Sequence, residues 1–269
     1  DGFNYIEKQL GSFPTIVYDG PFSDHIRKDP KGLTGPKVTQ AQAAAIARDF
    51  IGRDLAKEYN VEKAGDGEGI ISAYSFQLTP KNKQRHLIAM DISKKGGHVI
   101  WMLQDREVGK VKITVDQAEA RAARFLREKG FPAMVLTSIT EYNGMTLFSY
   151  AYEQDGIIIY PDFVKVQVAM DNGEILAFDA TGYLMAHHQR KLPSPKLSVE
   201  AAAKALPEGF KVSRDRLALI PLETQVEVLT YEFTGTFDGE QFLIYVNTET
   251  GEQERILRVV QTKEGKLTI

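Results

Sequence analysis

The chain has 269 residues, 43% of them apolar and 26% charged, so it can bury a core and is too long for one small domain; the length suits about two domains or several smaller repeated units. With 33 basic and 36 acidic residues the net charge is -3, which gives no global field to draw in nucleic acid or an anionic membrane. Cysteine is absent, and that excludes disulfides, thiolate nucleophiles, Cys-type zinc sites and iron–sulfur clusters.

The chain opens "DGFNYIEKQL", with neither Met nor a basic-then-apolar leader, so it reads as a fragment of a longer protein. No apolar run approaches the ~18 residues that span a bilayer. Residues 1–36 form an N-terminal segment with the stretch "VYDGPFSDHI", where Asp19, Asp24 and His25 stand close together. Those three side chains could bind a metal or move protons if they converged. Asp-Gly-Pro is, however, a turn sequence, and Ser23 or Asp24 suits the cap of a short helical turn. The stretch is therefore read as a shaped lead-in, with Val17, Tyr18, Phe22 and Ile26 packing on the first repeated unit.

That unit starts at "KVTQAQAAAIARDF". Thr39 caps a helix, Gln42 completes a capping box, and Ala43, Ile46, Ala47 and Phe50 make one apolar face. Strands follow at "IISAYSFQLTP", "RHLIAMDI" and "HVIWML", where the hydrophobic period shortens toward two. The glycines of "KKGG" are a hairpin turn and not a phosphate loop, since neither nucleotide-binding glycine pattern is present. A connector falls at about 105–111.

The pattern then recurs twice. "KITVDQAEARAARF" repeats the cap and box at Thr114 and Gln117, with Ala118, Ala122, Phe125 and Leu126 on one face. Its strands run through "VLTSITEYNGMTLFSYAYEQDGIIIY" and "FVKVQVAMDNGEILAFDA", turned at Asn143-Gly144 and Asn172-Gly173. After the connector "HHQRKLPSPK", "KLSVEAAAKAL" caps a third helix with Ser198, lacks the box, carries Glu200 in its first turn and is cut short by Pro207. Strands follow in "TQVEVLTYEFTGTFDGEQFLIYVNTETGEQERILRVV", with a turn at Asp238-Gly239. Thr39, Thr114 and Ser198 stand 75 and 84 residues apart. The fold class is α+β: three tandem units, each one helix packed on a three- or four-stranded antiparallel sheet, spanning 37–110, 111–190 and 195–269.

Other candidate residues have plainer readings. His187 and His188 are adjacent, point apart in extended chain and sit in a polar connector, which suits a solvated linker. Glu223 and Glu227 lie in or beside a strand and read as outward-facing charges. Trp101, the only tryptophan, belongs to a strand core more readily than to a sugar platform. No G-x-S-x-G elbow accompanies the serines and histidines. Catalytic, cofactor and metal sites are all expected to be absent.

A Thr/Ser-capped, Ala-rich helix followed by strands that end in an Asp/Asn–Gly hairpin resembles the PepSY domain family. The phrase "FPTIVYDGPFSDHI" (Phe13 to Ile26) ahead of three such units resembles a spore-germination branch of it. The resemblance implies a membrane anchor in an N-terminal region outside this chain. It implies a place in the spore, outside the inner membrane and at the cortex. It also implies a SleB-like cortex-lytic enzyme as partner, the two depending on each other for accumulation or stability, with the PepSY units restraining that hydrolase until germination. Cortex peptidoglycan is a further candidate partner, a homodimer stays open, and nucleic acid is not expected. A peptidoglycan-binding scaffold and, behind it, a peptidoglycan hydrolase are the alternatives.

Overall fold

The computed structural model describes Phe22 and residues 29–224, 226–262 and 265–268. Val17, Tyr18, Asp19, Asp24, His25 and Ile26 lie outside them.

All three repeated segments make helices where their caps predict. α1 (Gln40–Ile51) begins at Thr39, whose N–H donates to Gln42 Oε1 at 2.8 Å while its hydroxyl accepts the Gln42 N–H at 3.2 Å. After Gly52 a single turn, α2 (Arg53–Ala56), leads into β1 (Tyr59–Glu68), β2 (Ser72–Pro80), β3 (Ile88–Ser93) and β4 (Val99–Gln104). α3 (Val115–Glu128) repeats the reciprocal cap at Thr114 and Gln117, at 3.0 and 3.2 Å. β5 (Met134–Tyr142), β6 (Met145–Gln154), β7 (Ile157–Ala169) and β8 (Ile175–Asp179) follow it, then the short α4 (Thr181–Ala186). α5 (Val199–Ala203) has the Ser198 cap on Ala201 N–H without the box, and ends before Pro207. β9 (Lys211–Pro221), β10 (Glu227–Phe237), β11 (Glu240–Asn247), β12 (Gln253–Thr262) and β13 (Gly265–Thr268) complete the chain.

Sequence patterning does not signal β1, β9 or α4. β1 reads "YNVEKAGDGE", with few apolar side chains and a bulge between Lys63 and Gly65. β9 is exposed through "KVSRD" and buried only from Ala218 to Pro221. Strand β7 is also longer than the pattern suggests. It runs through Pro161, where its ladder with β6 shifts register, so the missing N–H costs no strand bond.

The fold is α+β, and the strands of all three copies join one 13-stranded sheet, in the order β1-β2-β3-β4-β8-β7-β9-β10-β11-β12-β13, with β5 and β6 branching from β7. Two seams join the copies. In the first, β4 pairs antiparallel with β8, Met102 opposite Phe178. In the second, β7 pairs parallel with β9, Ile158 opposite Ala218 and Ile159 opposite Leu219.

The seams explain the packing. The antiparallel one places α1 and α3 on one sheet face over a single shared core, which includes Ala43, Ala47, Ala118, Ala122 and Leu126. Phe50 and Phe125, each eleven residues past its cap, meet edge to face at 5.8 Å, and both rest on Phe178, at 5.4 and 5.7 Å. The matching position in the third copy is Gly209, and α5 instead covers a separate core of Phe233, Ile244 and Val246. Phe22 corrects one expectation. It packs on strands of the second and third copies, 5.2 Å from the Tyr160 ring and 5.1 Å from that of Tyr245, and not on the first. Among the described residues no helix is long and apolar enough to cross a membrane.

Candidate functional site

The ionisable groups worth weighing gather where β7, β9 and β10 meet. Pro161 and the register shift in β7 leave Asp162 out of the ladder, fully buried. The connector after α4 brings Arg190 onto it. Nη1 donates to Asp162 Oδ2 and Nη2 to Oδ1, both at 2.8 Å. The same guanidinium donates to Glu227 at the start of β10, from Nε at 2.7 Å and Nη2 at 2.8 Å. Gln154 closes the site by exchanging two bonds with the Arg190 backbone, at 2.7 and 3.2 Å. Burial alone would lower the Arg190 pKa, but Glu227 and Asp162 outweigh it and hold the guanidinium above its ordinary value.

This overturns two readings made from pattern alone. His187 and His188 are not a solvated linker. His187 Nδ1 lies 2.8 Å from Asp162 Oδ2, and its ring stacks on Tyr183 at 4.2 Å and meets Tyr152 edge-on at 4.7 Å. His188 Nδ1 donates to the Ala186 carbonyl at 2.8 Å. The two rings do find different partners, as adjacent extended residues should. Nor does Glu227 face outward, since its side chain is 16% exposed. Glu223 is separate from it, exposed and paired with Arg255 at 3.2 Å. A strand start that must meet a buried arginine turns its carboxylate inward whatever the strand pattern says.

A second buried group sits beside the first. Glu232, fully buried on β10, accepts from Arg216 Nε at 2.6 Å and from the Tyr245 hydroxyl at 2.9 Å, and the Tyr160 hydroxyl donates to the same carboxylate. Burial pushes both phenols above their ordinary pKa, and Glu232 adds to the effect. Phe22 packs on the two tyrosine rings.

Every carboxylate here already accepts from an arginine or a hydroxyl, so the clusters suit fastening strands better than moving protons. Among the described residues no three His, Asp or Glu side chains are grouped as a metal would need. Trp101 is partly buried and packs against Ala89, Leu103 and Ala177. Asp162, Arg190, Tyr160, Glu232 and Arg216 escaped the sequence reading. The available signal was charge inside apolar strands: Asp162 in "IIIYPDFVKV" and Glu232 in "LTYEFTG".

A family model described as "YpeB sporulation, PepSY1 and PepSY2 domains" matches residues 1–193. The chain belongs to the YpeB sporulation family. The match ends within the connector that carries Arg190, so the third copy lies beyond it. Sporulation protein YpeB of Halalkalibacterium halodurans is 32% identical over 267 residues, covering 98% of this chain and 59% of that protein. Its namesake in Bacillus subtilis is 31% identical over 262 residues, covering 95% and 57%. The chain thus spans less than two thirds of these relatives. The solved Bacillus megaterium YpeB C-terminal domain superposes with a TM-score of 0.75 at 31% identity, covering 83% of this chain and 99% of that one. YpeB membership accounts for the repeated capped helix and for the likeness in fold.

Proposed function

We propose that this YpeB-family chain is a non-catalytic sporulation and germination protein that binds, stabilises and restrains a SleB-like cortex-lytic hydrolase. It would act in the spore, on the outer side of the inner membrane at the cortex, held there by an N-terminal anchor outside this chain. We read it as an N-terminal segment, 1–36, followed by PepSY-like units at 37–110, 111–190 and 195–269.

Family membership over residues 1–193 is the observation that carries this reading. The fate of the buried ionisable groups adds to it. Arg190 pairs with Asp162 and Glu227, and Arg216 with Glu232, which ties the connector, β7, β9 and β10 together and suits a rigid binding body. The surface for a partner strand would be β1, which among the described residues pairs only with β2. Its bulge between Lys63 and Gly65, and the Lys63–Asp66 ion pair, restrict an added strand to the Tyr59–Glu62 half.

The test mixes the chain with the purified hydrolase and measures complex formation and the rate of cortex digestion. A complex with slowed digestion supports restraint. Sedimentation of the chain with purified cortex in the absence of any hydrolase complex would replace this reading with that of a peptidoglycan scaffold.

A further inference from the structure

A cavity of about 760 Å³ opens between the C-terminal ends of α1 and α3, the 31–34 strap, the β3–β4 turn and the connector after α4. Its size is that of a small-molecule site. The strap is pinned to the turn. Gly96 N–H donates to the Pro36 carbonyl at 2.7 Å, and His98 Nε2 donates to the Thr34 carbonyl at 2.7 Å. A Cβ on Gly96 would stand 1.9 Å from the Thr34 carbonyl oxygen, so glycine is required for this wall to close.

The charged side chains of the lining, Lys31 and Lys129, have one sign; His98, His187 and His188 also line it, and no aspartate or glutamate does. The floor is aromatic. Phe131 meets Phe178 at 5.8 Å and Tyr183 at 5.1 Å, and Phe50 rests on Phe178. Lys129 is the central group. Its ammonium donates to the Phe50 carbonyl and lies over the Phe50 ring at 4.7 Å. An ammonium has three N–H donors. Among the described residues the other two have no hydrogen-bond acceptor and the amine pairs with no carboxylate. Burial lowers its pKa, the sign of a charge short of compensation.

We propose that this cavity binds a carboxylate with an apolar or aromatic body, the carboxylate on Lys129 and Lys31 and the body on the rings of Phe50, Phe131 and Tyr183. An incoming carboxylate supplies the acceptor that Lys129 lacks, in a half-buried place where a charge-assisted bond is strong. The rings offer broad apolar contact next to it. A free aromatic acid and the C-terminal end of a peptide share this chemistry. The inference does not depend on the hydrolase reading above.

The experiment is calorimetric titration of the 269-residue chain with 2-naphthoate and with its neutral amide, and with the peptide Ala-Ala-Phe as free acid and as amide. The expected result is single-site binding in which each acid exceeds its amide by about tenfold or more. The tighter of the two acids identifies the source as a free acid or a chain end. Lys129→Met and Lys31→Ala should each weaken the acids without changing the amides, and Phe131→Ala should weaken all four probes. Should Lys129→Met fail to fold for want of the Phe50 contact, exposed Lys31 still carries the comparison. Equal affinity of acids and amides, no saturation below about 10 mM, or indifference to Lys31→Ala in a folded chain overturns the proposal.

Discussion

Arg190 and Asp162 face each other as fork and fork, each pairing of nitrogen and oxygen at 2.8 Å, with side chains 5% and 0% exposed. Glu227 holds the other side of the same guanidinium. The connector is therefore fastened to β7 and β10 at one residue. Arg190→Met should cost about 3–5 kcal/mol, because it leaves Asp162 charged, buried and with only His187 for a partner. Arg190→Lys should recover little, since an ammonium cannot span two carboxylates as a planar fork does. Urea unfolding of the three proteins checks both statements. A loss below about 1 kcal/mol for Arg190→Met, the size of an exposed pair, would show the connector to be held by something else.

Phe50, Phe125 and Phe178 form an aromatic contact between the first two copies, beside the β4–β8 ladder. Phe178→Ala should cost about 3–5 kcal/mol as a buried aromatic deletion. Phe50→Ala and Phe125→Ala should be non-additive with each other, because each removes half of the same ring pair. A double-mutant cycle by denaturant titration measures the coupling. Strict additivity would mean that the two rings act apart.

The helix caps give a graded expectation. Thr39→Ala and Thr114→Ala each remove the hydroxyl half of a working capping box, leaving the backbone N–H that donates to the glutamine side chain, and should cost about 1 kcal/mol. Ser198→Ala removes one bond from a five-residue helix and should cost about 0.5 kcal/mol, near the low end for a cap. Thermal unfolding of the three variants tests the ranking.

Asp91 predicts a pH dependence of unusual sign for a carboxylate. Burial raises its pKa, and bonds from Ser75 and Trp101 offset this only in part, while Oδ1 has no partner. With the folded pKa above the unfolded one, the folded state favours the proton. The contribution is present below the unfolded pKa and is lost as pH rises through the folded pKa. At neutral pH Asp91→Asn should therefore stabilise, by at most about 1 kcal/mol given its partial exposure. Below the ordinary aspartate range the gain should vanish. Unfolding free energies at pH 3 and pH 7 decide it, and a variant destabilised equally at both would show that Asp91 acts through its bonds as an ion.

Much of the fold was legible because its signals are local. A threonine three residues ahead of a glutamine, before an alanine-rich stripe, is a helix start wherever it stands, and Thr39 and Thr114 behave as such. Asn143-Gly144 makes its turn because both residues take positive φ, at 47° and 76°. The seams are not local. Nothing in "IIIY" announces a parallel partner 60 residues later at Ala218 and Leu219. β1 was hidden because an edge strand with a bulge and few apolar side chains has no alternation to read. The histidines misled for a related reason: a polar connector looks solvated until Asp162, 25 residues upstream of His187, is brought under it. Glu232 and Arg190 are not singled out because a buried ion pair is seen only when its partner, Arg216 or Asp162, is placed beside it.

The most direct test of the central claim is to measure, by calorimetry or analytical ultracentrifugation, the binding of the 269-residue chain to a purified SleB-like cortex-lytic hydrolase, with cortex digestion followed on the same samples. A complex of defined stoichiometry is expected, in which digestion slows as the chain is added. Free sedimentation of the two proteins with digestion unchanged at saturating chain would contradict it.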